Sequence, residues 1–326
     1  MATLRYDGHA VSTQDGETVL EALLRHGLAV PHGCRSGICQ SCLLRAREGA
    51  IPAMAQTGLK PTLVEQDYLL ACRCVPTQDM TLETSAAGTL RTPAVIDAIE
   101  PLGGDILRLR LTPEGPLDYR PGQYVTLWRD AALGRSYSLA SLPDEGRDLE
   151  FHIRVLPGGQ FSSWLRDQAR PGDRLEVQDA AGSCFYTPAL RDANLLLVGT
   201  GTGLAPLWGI VREALRLGHR GAIHVMHGAV QCDGLYLHEA LQQLADRHDN
   251  LHYHASVLQP EGCSAVDTRP LDALVVETIG DFSGWHSYLC GAPELVNQLR
   301  KRIFLAGARM DAICADVFLP TAPAPT

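Results

Sequence analysis

Four cysteines near the amino terminus constrain this chain more than any other feature. Cys34, Cys39, Cys42 and Cys72 follow the spacing C-x4-C-x2-C-x29-C. Thiolates are soft ligands, and a two-iron cluster takes four of them, three from a tight loop and one from farther along the chain. Structural zinc sites more often use two close C-x2-C pairs. The spacing therefore predicts a plant-type [2Fe–2S] cluster bound by these four residues.

The fourth ligand has a competitor, because Cys74 lies two residues beyond Cys72. The segment LLAC, which ends at Cys72, resembles the segment that holds the fourth ligand in plant-type ferredoxins. We therefore choose Cys72 and expect Cys74 to be a packed or surface thiol. Glycine and serine between the first three cysteines, in PHGCRSGICQSC, allow the sharp turns that a cluster loop needs.

The composition is that of an ordinary soluble protein with two or three domains, at 326 residues, 45% apolar and 20% charged. The formal net charge of −9 disfavours nucleic acid or an anionic membrane as partner. MATLRYDGHA lacks the features of a signal peptide, and no apolar run approaches the roughly 18 residues that span a bilayer. We expect a cytoplasmic protein, since the remaining cysteines show no disulfide-like framework: Cys184, Cys232, Cys263, Cys290 and Cys314.

Hydrophobic periodicity predicts three domains and a tail. Residues 1–88 indicate a small α+β domain, with an Asp7-Gly8 hairpin turn and a helix that ends at Gly27. Alternating strands separated by PGQ, PDEG, PGG and PGD predict an antiparallel barrel over 92–190. Apolar strands alternating with helices predict a parallel α/β domain over 192–320, and residues 321–326 are expected to be disordered.

Four short motifs in the second and third domains carry the chemistry. RSYS spans Arg135 to Ser138, and VLPGGQFSSWL can place backbone N–H groups at a helix start, where anions bind. GTGTGLAP follows an apolar strand and opens a helix, which is the arrangement that brings backbone close to a pyrophosphate. CGAP begins at Cys290.

In this order and at these separations, the motifs resemble the ferredoxin–NADP reductase superfamily. With the cysteine motif, the arrangement is similar to the reductase components of bacterial multicomponent oxygenases, of the naphthalene dioxygenase reductase type. The resemblance implies a multidomain fold of α+β and α/β parts. These are a β-grasp ferredoxin domain, an antiparallel β-barrel flavin domain and a parallel α/β nucleotide-binding domain.

The resemblance also implies roles for individual residues. Arg135 would bind an FAD phosphate, Tyr137 would lie along the isoalloxazine, and Ser138 would hydrogen-bond near its reactive nitrogen. The remaining cofactor-binding residues would be His152, Gly159, Gln160, Phe161 and Ser162 for FAD, and Gly199, Thr200, Gly201, Thr202, Gly203, Cys290 and Phe318 around the nicotinamide nucleotide. The catalytic set would be Ser138, Thr202, Cys290, Asp316 and Phe318, with Phe318 stacked on the flavin and Asp316 paired with Ser138.

One departure from the family bears on nucleotide choice. Where relatives often have an arginine, the segment GAVQCDGLY has Val230. The extra phosphate of NADPH needs a cationic partner, so NADH is the expected donor.

These features predict electron flow from NADH to FAD to the [2Fe–2S] cluster, with FAD converting a two-electron donor into a one-electron source. The expected partner is a terminal oxygenase, Rieske or di-iron, or another electron-accepting protein, served by a monomeric reductase. A reductase for a deoxysugar dehydrase and a non-catalytic iron–sulfur redox sensor remain as alternatives.

Overall fold

The computed structural model describes residues 2–30, 37, 42–59, 61–84, 91–130, 133–263 and 266–318. Cys34, Cys39, the linker residues 85–90 and the tail 321–326 lie outside the described residues. The chain divides into two compact units, Met1–Ala87 and Gly88–Thr326.

The first unit is a small mixed sheet with a helix against it. The elements are β1 (Thr3–Tyr6), β2 (His9–Ser12), α1 (Val19–Arg25), β3 (Leu43–Glu48), α2 (Pro61–Glu65), β4 (Tyr68–Leu70) and β5 (Met80–Thr84). The strand order is β2-β1-β5-β3-β4, with β1 parallel to β5 and the other described pairs antiparallel. This is the ferredoxin-like α+β arrangement that the sequence predicts.

Local chemistry explains two of these elements. Asp7 and Gly8 have φ angles of 49° and 75°, which is the two-residue hairpin turn that matches strand twist. Helix α1 begins with a capping box between Thr18 and Glu21. It ends where Gly27, at φ 77°, takes the left-handed conformation that glycine adopts at low cost. Both features agree with the sequence predictions.

The second unit begins with an antiparallel barrel. Its elements are β6 (Arg91–Gly103), β7 (Ile106–Pro113), β8 (Tyr124–Trp128), β9 (Gly134–Ser138), β10 (Leu149–Arg154), α3 (Gln160–Asp167) and β11 (Arg174–Gln178). The strand order is β10-β7-β6-β11-β8-β9. The sheet curls until its ends meet, since the Ala140 N–H, just after β9, donates to the Glu150 carbonyl in β10 at 2.9 Å.

A parallel α/β sheet follows in the same unit. Its elements are β12 (Asn194–Thr200), α4 (Leu204–Arg216), β13 (Ile223–Gln231), α5 (His238–Ala245), β14 (Leu251–Gln259), α6 (Leu271–Ile279), β15 (Trp285–Gly291), α7 (Pro293–Leu305) and β16 (Ile313–Val317). The strand order is β14-β13-β12-β15-β16, and the described pairs are parallel. The direction of winding reverses between β12 and β15, which places a ligand crevice at the carboxyl ends of these two strands.

Two features differ from the sequence analysis. Helix α6 is not apparent from the sequence, because its run of apolar residues, LDALVVETI, does not distinguish a helix from a buried strand. The expectation of no disulfide framework is wrong for one pair, because Cys232 and Cys263 are joined by a disulfide. The two cysteines are 31 residues apart in sequence, and they come together because the loops that carry them follow neighbouring strands.

Candidate functional site

The described cluster ligands lie in the core of the first unit. Cys42 and Cys72 are 3% and 8% exposed, and the backbone joins them closely because the Ala71 N–H donates to the Cys42 carbonyl at 3.0 Å. Cys72 sits in a 3₁₀ turn between β4 and β5. Buried thiols held by turns are the donor chemistry that an iron–sulfur cluster requires. The other two predicted ligands, Cys34 and Cys39, are not among the described residues.

Cys74 is a packed core thiol. It is fully buried, its Sγ lies 4.0 Å from the Met80 Sδ, and burial raises its pKa to about 12. This position in the core is that of the packed thiol which the sequence analysis expects at Cys74.

The RSYS motif forms strand β9 of the barrel. The half-buried ring of Tyr137 lies 5.5 Å from the Phe161 ring, and burial raises the pKa of its phenol. Arg135 is half-buried, with its Nη1 donating to the Gly134 carbonyl at 2.7 Å. This strand therefore presents a flat aromatic face beside a cation, which fits a flavin and its phosphates.

Helix α3 supplies a candidate anion site through its backbone. It starts at Gln160, after Gly159, and no side chain among the described residues caps it. The side chains of Phe161 and Ser162 are buried, and the Ser162 Oγ accepts from the Leu156 N–H at 3.2 Å. The first-turn N–H groups are thus the part of this segment available to a pyrophosphate.

The glycine turn that ends β12 and the CGAP segment that ends β15 approach each other at Gly203 and Gly291. A methyl group on Gly203 would lie 2.2 Å from the Cys290 carbonyl oxygen, and one on Gly291 would lie 2.9 Å from the Thr200 Oγ1. Gly201 has a φ of 52°, and Thr202 is partly exposed. The absence of side chains at these glycines leaves a narrow cradle at the mouth of the crevice.

Three of the predicted catalytic residues converge beside this cradle. Cys290 and Asp316 are register partners on β15 and β16, and the Ser138 Oγ donates to the Asp316 Oδ2 at 3.5 Å. Burial raises the pKa of Asp316, which the Ser138 hydrogen bond partly offsets. Burial, together with the nearby Asp316, raises the pKa of Cys290 well above its ordinary value, so this thiol stays protonated.

Phe318, the last described residue, is tied to the same place. Its N–H donates to the Gly291 carbonyl at 2.9 Å, and its side chain is half-buried.

His152 makes a contact between the barrel and the parallel sheet that the sequence did not reveal. One ring nitrogen, Nε2, is 2.9 Å from the Glu150 Oε1, and the other, Nδ1, is 3.2 Å from the Tyr236 hydroxyl. Burial lowers the pKa of His152 despite the neighbouring carboxylate. With both nitrogens engaged by protein groups, His152 anchors Tyr236 and offers no ring nitrogen to a cofactor.

Arg154 is a second residue that sequence analysis missed. A methyl group on Gly201 would lie 2.5 Å from its Nη2, so the guanidinium covers the glycine turn. Its Nε donates to Asp105 at 3.2 Å, and the side chain is 42% exposed, which leaves it accessible. The sequence feature that could have indicated Arg154 is its position at the carboxyl end of a predicted strand, two residues after His152.

Family models cover nearly all of this architecture. A 2Fe-2S iron-sulfur cluster binding domain matches residues 3–77, an oxidoreductase FAD-binding domain residues 95–186, and an oxidoreductase NAD-binding domain residues 197–301. The chain is 32% identical over 311 residues to the ferredoxin–NAD(P)(+) reductase component of the naphthalene 1,2-dioxygenase system of Pseudomonas putida, covering 94% of each chain.

The chain belongs to the three-domain reductases of the ferredoxin–NADP reductase superfamily. As a member of these three-domain reductases, it is an oxidoreductase that carries electrons from NADH through FAD to a [2Fe–2S] cluster. It is also 32% identical over 302 residues to the reductase subunit of an aromatic O-demethylase of Amycolatopsis sp., covering 89% of this chain and 90% of that one.

Two solved reductase structures show the same fold. The Amycolatopsis cytochrome P450 reductase GcoB has a TM-score of 0.67 at 28% identity, covering 98% of this chain and 99% of that one. The ferredoxin reductase in carbazole 1,9a-dioxygenase has a TM-score of 0.65 at 22% identity, covering 98% of each chain. Within the described residues, every helix falls short of the length and apolarity that a bilayer crossing requires.

Proposed function

We propose that this reductase is the electron-transfer component of a multicomponent oxygenase, Rieske or di-iron, and that it delivers electrons directly from its own cluster domain. The observation that carries the proposal is the convergence of Ser138, Cys290 and Asp316 at a crevice between a flavin-type barrel and a nucleotide-type sheet. The naphthalene dioxygenase and aromatic O-demethylase relatives, which are reductase components of oxygenating systems, support this acceptor class.

We propose the following roles for individual residues, which the geometry supports. When bound, FAD accepts a hydride from NADH and releases single electrons to the cluster. On the flavin side, Arg135 and the first-turn N–H groups of α3 hold the phosphates, and Tyr137 supports the ring. Ser138, hydrogen-bonded to Asp316, would place its hydroxyl oxygen where the hydride arrives.

On the nucleotide side, the glycine turn Gly199–Gly203 and Arg154 hold the pyrophosphate, which directs the nicotinamide toward Cys290 and Thr202. The neutral Cys290 thiol adds bulk without charge beside the nicotinamide, and Phe318 covers the position that the nicotinamide must enter. Cys34, Cys39, Cys42 and Cys72 hold the cluster.

We also propose the domain limits 1–88, 92–190 and 192–320, a monomeric state and a cytoplasmic location. The contact boundary between Ala87 and Gly88 supports the first limit.

Nucleotide preference gives the first prediction. Val230 is 58% exposed at the end of β13, three residues before the exposed Asp233, so a 2′-phosphate there would meet a carboxylate. The segment GAVQCDGLY itself contains no lysine or arginine. We expect a higher kcat/KM with NADH than with NADPH, and Val230→Arg should narrow the gap. A charge-assisted contact contributes about 1.5–3 kcal/mol, so the ratio should shift by about ten- to a hundredfold.

Steady-state kinetics with both nucleotides measures this ratio, and Val230→Gln, which is long but neutral, is the matched control. Other arginines near the sheet are already engaged: Arg212 pairs with Glu145, Arg269 with Asp267 and Glu277, and Arg247 with the Gln243 carbonyl. A wild-type preference for NADPH would contradict the assignment and point to one of these side chains.

A fragment beginning at residue 89 tests the proposed electron path. It retains the barrel and the parallel sheet and loses the cluster domain, so it should fold, bind FAD and reduce ferricyanide with NADH. It should fail to reduce cytochrome c, which we expect to take electrons from the cluster. Loss of ferricyanide reduction by a fragment that still holds FAD would show that the electron path is wrong.

A further inference from the structure

The disulfide between Cys232 and Cys263 lies at the carboxyl edge of the parallel sheet. Cys232 comes directly after β13, and Cys263 comes four residues after β14. These strands are parallel neighbours, with Gln231 opposite Gln259, so their following loops meet at one edge. The Cα–Cα distance of 5.7 Å is ordinary for a disulfide.

This edge is where the adenosine half of the nucleotide extends. The glycine turn follows the central strand β12, and the nicotinamide position lies toward β15 and β16 on one side of it. A dinucleotide that crosses the crevice therefore places its other half on the opposite side, over the ends of β13 and β14. The inference rests on the nucleotide site proposed above.

The segment after Cys232 is also attached to the flavin barrel. A methyl group on Gly103, the last residue of β6, would lie 3.2 Å from the Asp233 carbonyl oxygen. Three residues later, the Tyr236 hydroxyl meets His152 Nδ1 at 3.2 Å. The barrel therefore anchors residues 232–236 on one side, and Cys263 anchors them on the other.

Among the described residues of the loop that carries Cys263, backbone pairing with β14 lies at the far end of the loop. The Val257 N–H donates to the Asp267 carbonyl at 2.8 Å, and the Asp267 N–H to the Ala255 carbonyl at 3.0 Å. Between β14 and Asp267, the contacts described to the β13 side are those of Cys232: its bond to Cys263, and its Sγ at 3.4 Å from the Glu261 carbonyl oxygen and 3.8 Å from that of Pro260. The disulfide is therefore the main tie between the two loops.

Exposure separates this pair from the other described cysteines. Cys232 and Cys263 are partly exposed, whereas the described cysteines outside the pair are buried: Cys42, Cys72, Cys74, Cys184, Cys290 and Cys314. Thiol–disulfide exchange requires direct access of the attacking sulfur. A small thiol in solution can therefore reach this disulfide while those buried thiols are shielded.

We propose that Cys232 and Cys263 form a reversible redox clasp that controls the affinity of the nucleotide site for the adenosine half of NADH. In the oxidising direction, the two thiols lose two protons and two electrons to a small-molecule disulfide. The Cys232–Cys263 bond forms, the bond of the small disulfide breaks, and two small thiols are released. A small dithiol reverses the reaction. The clasped form holds both loops in place, so binding does not have to order them.

The direct test is equilibrium binding of ADP-ribose, which carries the adenosine half and the pyrophosphate without the nicotinamide. FAD-loaded full-length protein is equilibrated with a small dithiol or its disulfide, and maleimide labelling with mass spectrometry verifies the state of both cysteines. We expect reduction to weaken ADP-ribose binding about three- to tenfold. The KM for NADH with ferricyanide should rise in parallel, with kcat within about twofold because the hydride-transfer residues lie on other strands.

Variants separate the clasp from other redox effects. Cys263→Ser and Cys232→Ser should each resemble the reduced wild type and lose any response to reductant, and the double variant should match the single ones. Cys184→Ser, which removes a buried thiol elsewhere, should keep the response. Equal ADP-ribose affinity of the oxidised and reduced forms, or a continued response in Cys263→Ser, would overturn the clasp. Failure to oxidise NADH, with ADP-ribose binding still redox-dependent, would instead refute the proposed function and leave the clasp standing.

Discussion

Cys72→Ser is expected to abolish the visible absorption of the [2Fe–2S] cluster and electron transfer to cytochrome c. A serine hydroxyl is a hard, weakly acidic ligand in place of a soft thiolate, and a cluster with three thiolates is not retained. Substitution of a residue that only hydrogen-bonds to a metal ligand typically lowers metal affinity or activity about 10- to 100-fold. Loss of a ligand itself should therefore lower cytochrome c reduction by at least about a hundredfold. Ferricyanide reduction should persist, since it draws electrons from the flavin in the second unit.

Cys74→Ser is the matched control, with the same chemical change two residues away. Cys74 is fully buried against Met80, so its replacement places a hydroxyl in an apolar site. We expect this variant to keep the cluster spectrum while losing about 1–3 kcal/mol of stability, read as a lower unfolding temperature. A cluster that survives Cys72→Ser and disappears in Cys74→Ser would reverse the ligand assignment.

Features set by a few neighbouring residues could be predicted from sequence. The Asp7-Gly8 hairpin and the end of α1 at Gly27 depend on left-handed backbone conformations that few residue types adopt readily. The residue types at these positions therefore predict both features. The glycine turn after β12 is similar, because its residues are continuous in the chain.

Features that join distant segments could not be read from sequence. The contact between His152 and Tyr236 connects residues 84 apart, and the Cys232–Cys263 bond depends on which strands become neighbours. Arg154 is one of several exposed arginines in alternating strands, and only its position beside Gly201 marks it. Pairing of Ser138 with Asp316, 178 residues apart, was accessible through the family resemblance and not through local pattern.

Ser138→Ala is expected to lower the rate of NADH oxidation about 10²- to 10³-fold, with KM for NADH little changed. The hydroxyl is held in place by Asp316, and a fixed dipole at a reacting centre acts mainly on the transition state. Stopped-flow measurement of flavin reduction under anaerobic conditions reads this step without the cluster. Ser136→Ala, at an exposed position on the same strand, is the control that should react at the wild-type rate. Similar rates for both variants would remove Ser138 from the reaction.

Asp316→Asn separates the positioning of Ser138 from the charge of the carboxylate. The amide oxygen can still accept the Ser138 hydrogen bond, so flavin reduction should slow by only about tenfold, less than for loss of the Ser138 hydroxyl.

The same substitution should increase the stability of the folded protein. Burial raises the pKa of Asp316, so the folded protein binds this proton more tightly than the unfolded chain does. Stability is therefore lost as pH rises from the ordinary Asp range through the raised folded value. Thermal unfolding should show Asp316→Asn as more stable than wild type at pH 8, with the difference shrinking as the pH falls toward 4. A variant that is slower and also less stable at pH 8 would mean that the carboxylate is a structural group whose charge the fold requires.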